Sequence, residues 1–174
     1  MTSSPYRVLC VCLGNICRSP TAEVILQQYA QTAGLAVEVD SAGTSNYHPN
    51  KAPDIRTQQH AKDSGYDLSQ LRARQVQPDD FEHFDLILAM DDNNLADLQA
   101  QVKQLKASNK NVKAKLALMS EHCNVYPQQA VPDPYYGEAK DFERVIVQCE
   151  HAAQAWVKQW QSSAILAKQK KLEN

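Results

Sequence analysis

Four short apolar runs alternate along this chain with stretches of helical spacing, and that alternation restricts the fold more than any other feature. Val8-Leu9-Cys10-Val11-Cys12 is unbroken by polar residues, the mark of a strand buried on both faces. Phe84–Met90 repeats the pattern, Lys115–Met119 repeats it more weakly, and Val37-Glu38-Val39 is a shorter strand. Between them, Ala22, Ile25, Leu26, Tyr29 and Ala33 form a helical stripe stopped by Gly34, with Ser19 as N-cap and Pro20 where its missing N–H costs nothing. Asp54–Ser64 reads as a weaker helix ended by Gly65, and Asp91 opens a helix carrying Leu95, Leu98, Val102 and Leu105. The last helix carries Phe142, Val145, Ile146, Cys149, Ala153, Trp156 and Trp160. Ser41–Lys51 is rich in turn formers, and Tyr126–Gly137 is a proline-containing loop. The charged tail Lys168–Asn174 is expected to fray.

Connections of this length are too long for hairpins, so the strands run parallel. The expected fold is a single α/β domain of three layers, a four-stranded parallel sheet of the flavodoxin/Rossmann kind with helices on both faces. At 174 residues the chain suits one domain, with its core over about 6–160 and an extension or frayed tail from 161. Such folds bind their ligands at the carboxyl ends of the strands, and the first strand ends at Cys12.

A net charge of −2 argues against nucleic acid and acidic bilayers, both of which reward a strong positive excess. Any anion must therefore be held by local geometry. No run approaches the roughly 20 apolar residues of a membrane helix, and Val8–Gly14 lacks the flanks of a secretory signal. The five cysteines are an odd number, and with no staple required they read as free thiols of a reducing cytoplasm. Cys10, Cys12 and Cys17 crowd together, while Cys123 and Cys149 stand apart.

The segment Cys12-Leu13-Gly14-Asn15-Ile16-Cys17-Arg18-Ser19 joins a buried strand to a helix start. Its N–H groups can converge on a tetrahedral anion that the helix dipole also favours. Gly14 and Asn15 accept the positive φ that such a nest needs, and Arg18 can clamp two oxygens with its planar fork. Helix N-termini and cations bring thiols down to about 3.5–7.5, so Cys12 is placed as a nucleophile toward phosphorus. The Ser19 hydroxyl can donate to that sulfur.

Val11-Cys12-Leu13-Gly14-Asn15-Ile16-Cys17-Arg18-Ser19-Pro20 resembles the signature of the low-molecular-weight protein tyrosine phosphatases. The likeness continues through Asp40-Ser41-Ala42-Gly43-Thr44-Ser45, Ala73-Arg74-Gln75, Asp80-Phe81, Met90-Asp91 and Asp133-Pro134-Tyr135-Tyr136-Gly137. The resemblance implies metal-free, cofactor-free hydrolysis of a phosphate monoester through a cysteinyl phosphate. Cys12 is then the nucleophile, and Arg18 with the loop residues Leu13, Gly14, Asn15, Ile16, Cys17 and Ser19 holds phosphate. Asp133 is the general acid and base, and Asn15 with Ser41 supports the loop. It also implies a Cys12–Cys17 disulfide that shields the nucleophile from over-oxidation, and rings of Tyr47, Tyr135 and Tyr136 at the pocket mouth. Near Ser69-Gln70-Leu71 some relatives place a loop-supporting histidine, where this chain has Leu71.

The expected partners are a phosphotyrosine protein or small aryl phosphate, with inorganic phosphate as product and at most weak self-association. Competing readings are a phosphoarginine phosphatase, an arsenate reductase or a non-catalytic phosphate-binding module. Bulky Ile16 favours a flat ring over phosphoarginine. No cysteine between Cys17 and Cys123 supplies an arsenate relay, and a nucleophile together with a general acid argues for catalysis. A zinc site from Cys10, Cys12, Cys17, His122 and Cys123 lacks the usual ligand spacing. Asp91 is expected as a helix cap, Cys10 and the two tryptophans as core, Leu13 and Ile16 as pocket walls, and the five histidines as surface or locally satisfied residues.

Overall fold

The strand β1 (Tyr6–Cys12) sits between two parallel neighbours, which explains its unbroken apolar sequence. In the computed structural model, which describes residues 4–163, a four-stranded sheet has the order β2-β1-β3-β4. Its other strands are β2 (Val37–Gly43), β3 (Leu86–Ala89) and β4 (Lys115–Leu118). The helices are α1 (Arg18–Thr32), α2 (Ile55–Asp63), α3 (Asp80–His83), α4 (Asp92–Ala107) and α5 (Ala139–Ser162). The Lys168–Asn174 tail lies outside the described residues.

Alternate side chains of β1 enter two separate cores, as the two-residue period of a strand requires. Val8, Cys10 and Cys12 join the core that includes α1 and α5, while Leu9 and Val11 join the one that includes Phe81, Phe84 and Leu98. In β3, Leu86 and Leu88 divide from Ile87 and Ala89 in the same way. Trp156 and Trp160 belong to the first core, and the Trp156 indole donates to the Met119 carbonyl at 2.8 Å. Cys10, Cys123 and Cys149 are buried packing residues.

Several boundaries differ from the sequence expectation. The second strand continues past Val39 to Gly43, because β1 supplies partners through Cys10↔Ser41 and Cys12↔Gly43. Polar Asp40 and Ser41 are therefore strand residues held by backbone pairing and not by an apolar pattern. The third strand spans only Leu86–Ala89, since Phe84 already ends α3. That helix has four residues, too few to show a period in the sequence. The first helix starts at Arg18, one residue before the expected cap, and the cap position, Cys17, makes no side-chain capping bond.

Candidate active site

The loop between β1 and α1 turns at Asn15, whose φ is 57°. Left-handed backbone is most accessible to glycine and asparagine. The outward carbonyls are occupied: Cys12 O accepts from Thr44 N at 2.9 Å, Leu13 O from Ser45 N at 2.9 Å, and Ile16 O from Asp54 N at 2.8 Å. The amides of Leu13, Gly14, Ile16, Cys17 and Arg18 find no acceptor among the described residues. An uncapped helix start beside a ring of free N–H groups is a seat for an anion.

Cys12 lies at the floor of this loop and is 3% exposed. Its Sγ is 3.0 Å from Ser19 Oγ and accepts from Asn15 N at 3.3 Å. These contacts and the α1 dipole surround the sulfur with donors and positive potential. The Ser19 hydroxyl thus faces the sulfur from inside the helix, which is why it does not cap. Behind the loop, Asn15 Nδ2 donates to Ser19 Oγ at 2.8 Å and Ser41 Oγ at 2.9 Å, and Asn15 Oδ1 accepts from Arg74 N at 3.0 Å. Arg74 itself is braced by Asp40 and Asp80. Asn15 and Ser19 therefore work from the buried side of the loop, and Leu13, Gly14, Ile16 and Cys17 line the open side. Leu71 packs against the α1–α5 core, and the amide of Asn15 is satisfied without it.

Arg18 is 3% exposed, and three acceptors aim its guanidinium. Nη1 donates to Asp91 Oδ2 at 2.6 Å and to the Val131 carbonyl at 3.1 Å, while Nη2 reaches Asp133 Oδ2 at 3.4 Å. Burial pulls the guanidinium toward a lower pKa, but Cys12, Asp91 and Asp133 together hold it above its ordinary value. Asp91 does more than the expected capping. Its Oδ1 accepts from Asn94 N at 2.7 Å and caps α4, and its other oxygen holds Arg18. Sequence reasoning missed this second role because the two residues lie 73 positions apart.

The cleft above Cys12 has a volume of about 300 Å³. Leu13 and Ile16 wall it, and Tyr47, Tyr135 and Tyr136 stand around it with Asp133. Tyr136 is 97% exposed, whereas Tyr135 packs edge-on against it and against the small cluster of Ile16, Cys17, Ala73 and Phe142. Arg56 donates to the Tyr135 carbonyl at 3.0 Å and fixes that segment. Asp133 Oδ1 accepts from Tyr135 N at 3.1 Å, which leaves its side chain 46% exposed at the mouth. His48 also lines the cleft, next to Gly14, a placement that no motif in the sequence signals. His60 stacks on Phe142 and His122 packs on Trp156, as locally satisfied rings.

Burial pushes the Cys17 thiol up to about 12. Cys17 is therefore the protonated neighbour in the loop. Among the described residues, no group of three or more His, Cys, Asp or Glu side chains is placed to hold a metal ion, so Cys10, Cys12, Cys17, His122 and Cys123 do not converge.

A family model described as low molecular weight phosphotyrosine protein phosphatase matches residues 7–171. The low molecular weight phosphotyrosine protein phosphatase of Gallus gallus is 41% identical over 152 residues, covering 86% of this chain and 92% of the relative. A protein tyrosine phosphatase from Entamoeba histolytica, crystallised with Hepes in its active site, superposes with a TM-score of 0.80. It is 36% identical and covers 90% of this chain and 97% of its own. The Drosophila arginine phosphatase has a TM-score of 0.82 at 30% identity, covering 90% of this chain and 98% of its own.

Proposed function

This chain belongs to the low molecular weight phosphotyrosine protein phosphatase family and is a phosphatase; we propose that Cys12 is its nucleophile and Asp133 its general acid and base. The observation that carries this assignment is convergence. Cys12 Sγ, the uncapped start of α1, the Arg18 fork and the Asp133 carboxyl share one cleft. The phosphoryl oxygens of an aryl phosphate enter the ring of amides, and Arg18 Nη2 exchanges Asp133 for phosphate while Nη1 stays on Asp91. The sulfur then attacks phosphorus as the P–O bond to the leaving group breaks. Asp133 gives its proton to the departing phenolate oxygen. In the second step water attacks the cysteinyl phosphate, Asp133 takes the water proton, and inorganic phosphate leaves as the sulfur departs. Ser19 O–H supports that departing thiolate.

Phosphotyrosine proteins and small aryl phosphates are the substrates this cleft suits, because Leu13, Ile16 and the three tyrosines offer flat apolar walls. The Drosophila neighbour raises phosphoarginine as a second reading, and the nearly buried Ile16 side chain disfavours it by filling the wall where a polar head must be solvated. Hydrolysis of matched phosphotyrosine and phosphoarginine peptides decides between them, and faster phosphoarginine turnover overturns the choice. We further assign the chain to the cytoplasm, on the strength of its five free thiols, and to a monomeric or weakly self-associating state that size-exclusion chromatography with light scattering measures. Under peroxide, a Cys12 sulfenic acid condenses with the Cys17 thiol and expels water to give a protective disulfide. Peptide mapping after oxidation checks that pairing.

The deciding experiment is hydrolysis of an aryl phosphate with EDTA present. Cys12→Ser abolishes turnover, and Asp133→Ala lowers kcat by about 10²–10⁴-fold. Full activity in Cys12→Ser removes the mechanism, and a requirement for added metal removes its metal independence.

A further inference from the structure

The net charge of −2 is unevenly spread along this chain. Residues 98–120 hold Lys103, Lys106, Lys110, Lys113 and Lys115 and no carboxylate, which leaves −7 on the rest. We propose that the pole bearing these lysines is a docking surface for an acidic peptide segment of a partner protein, which seats one apolar side chain in the groove lined by Tyr6, Trp156 and Trp160. The inference is independent of the chemistry assigned to Cys12. This pole lies at the amino ends of the strands, and the cleft lies at their carboxyl ends.

All five lysines are exposed. Lys113 pairs with Asp85 at 2.7 Å, and the other four meet no carboxylate among the described residues. Lys103 and Lys106 stand three positions apart on α4, where like charges are neighbours and repel. The negative end of the α4 dipole accounts for Lys106 in the last turn. It does not account for Lys110, Lys113 and Lys115, which follow the helix across the connection into β4. Like charges gathered on one pole repel each other in the isolated chain and attract a polyanion.

Lys115 is also a wall of the groove, whose volume is about 280 Å³. Tyr6 opens β1 on one side of it, and the end of α5 supplies Trp156 and Trp160. Tyr6 meets Trp160 edge-on at 5.9 Å, and the two indoles lie 6.0 Å apart. The volume falls at the lower bound of the roughly 300–1,000 Å³ of small-molecule sites, room for one anchoring side chain and not for a long apolar segment. Glu121 is the one carboxylate in the lining among the described residues, against Lys115 and the four lysines of the segment leading to it. Trp156 and Trp160 are only 5% and 4% exposed. Recessed rings of this kind do not insert into a bilayer, which takes up protruding apolar side chains, but a peptide side chain can reach them. The −7 on the rest of the chain disfavours nucleic acid.

Trp156 and Trp160 are the two tryptophans of the chain, so intrinsic fluorescence reads the groove directly. The probe is a synthetic peptide of six glutamates around one phenylalanine, added to the full chain. It is expected to change the fluorescence saturably. Its affinity should fall as salt rises from about 0.1 to 1 M, over which the screening length shortens from about 10 to 3 Å. Glycine in place of the phenylalanine should weaken binding about tenfold, the loss of one buried side chain. Lys110→Glu with Lys115→Glu should also weaken it about tenfold and leave hydrolysis of an aryl phosphate unchanged, which shows that the variant folds. If that hydrolysis is lost, Lys110→Gln with Lys115→Gln removes the same charges without reversing them, and about threefold weaker binding is expected. No saturable change up to about 1 mM peptide, equal binding of a peptide with six lysines, or full affinity in the folded double variant overturns the proposal. Fluorescence that depends on protein concentration without peptide overturns it in favour of a second copy of this chain. Tighter binding to phosphatidylserine vesicles than to the peptide overturns it in favour of a membrane.

Discussion

The helices α1 and α4 start at the carboxyl ends of adjacent parallel strands, yet their N-termini are finished in opposite ways. At α4, Asp91 accepts from Asn94 N and fills the positive end with a carboxylate. At α1, Cys17 holds the cap position without a capping bond, and no acidic side chain lies in the first turn. Asp54 caps α2, and Glu138 with Asp141 closes a capping box on α5, so among the described residues α1 is the exception in the set of helices longer than one turn. Orphan N–H groups buried without partners are costly. In the proposed mechanism they receive the incoming phosphate, which supplies both the acceptors and the negative charge that the dipole favours. The filled terminus serves the empty one, because the second oxygen of Asp91 aims Arg18 across the seat.

Mutations that separate these two duties sharpen the comparison. Asp91→Ala leaves the buried Arg18 without its shortest partner, and kcat/KM for an aryl phosphate should fall about 10–100-fold. Asp91→Asn retains a good cap, so its loss of activity should come with little loss of thermal stability. Equal destabilisation by the two substitutions would show that the cap and the clamp are not separable.

The carboxyl behind the empty terminus gives a pH-dependent difference. Folding raises Glu23 from its ordinary 4.5 to about 7, so the folded state binds more protons across that window. Stability is therefore present below about 4.5 and is lost as pH rises through 7. Glu23→Gln does not titrate, and its stability relative to the parent should improve by about 1–3 kcal/mol between pH 4 and pH 8 in urea unfolding. A constant difference across that range would remove the raised carboxyl. The smallest effect is expected at a terminus with no catalytic duty: Glu138→Ala should cost about 1 kcal/mol in the same assay and leave kcat/KM unchanged.

What could be read in the chain follows from the range of each signal. The buried runs of β1 and β3, the faces of α1, α4 and α5, and the loop from Cys12 to Ser19 are local patterns, and they are found where the residues put them. The polar half of β2 and the four-residue α3 have no such pattern. Asp40 and Ser41 are extended because β1 pairs with them, and α3 is anchored by the burial of Phe81. The same holds for the helix start, which moved to Arg18 because the Ser19 hydroxyl is bonded to its neighbours across the loop.

The sequence by itself determined the parallel α/β fold and the loop that bears Cys12 and Arg18, since strand and helix periods and a glycine-asparagine turn are properties of neighbouring residues. Only the tertiary structure decided that Asp91 holds Arg18, that Arg74 orients Asn15, that His48 walls the cleft and that Glu23 accepts from Ser41. These contacts join residues 18 to 73 positions apart. The order β2-β1-β3-β4 brings them together, because it places the carboxyl ends of β2 and β3 on either side of Cys12.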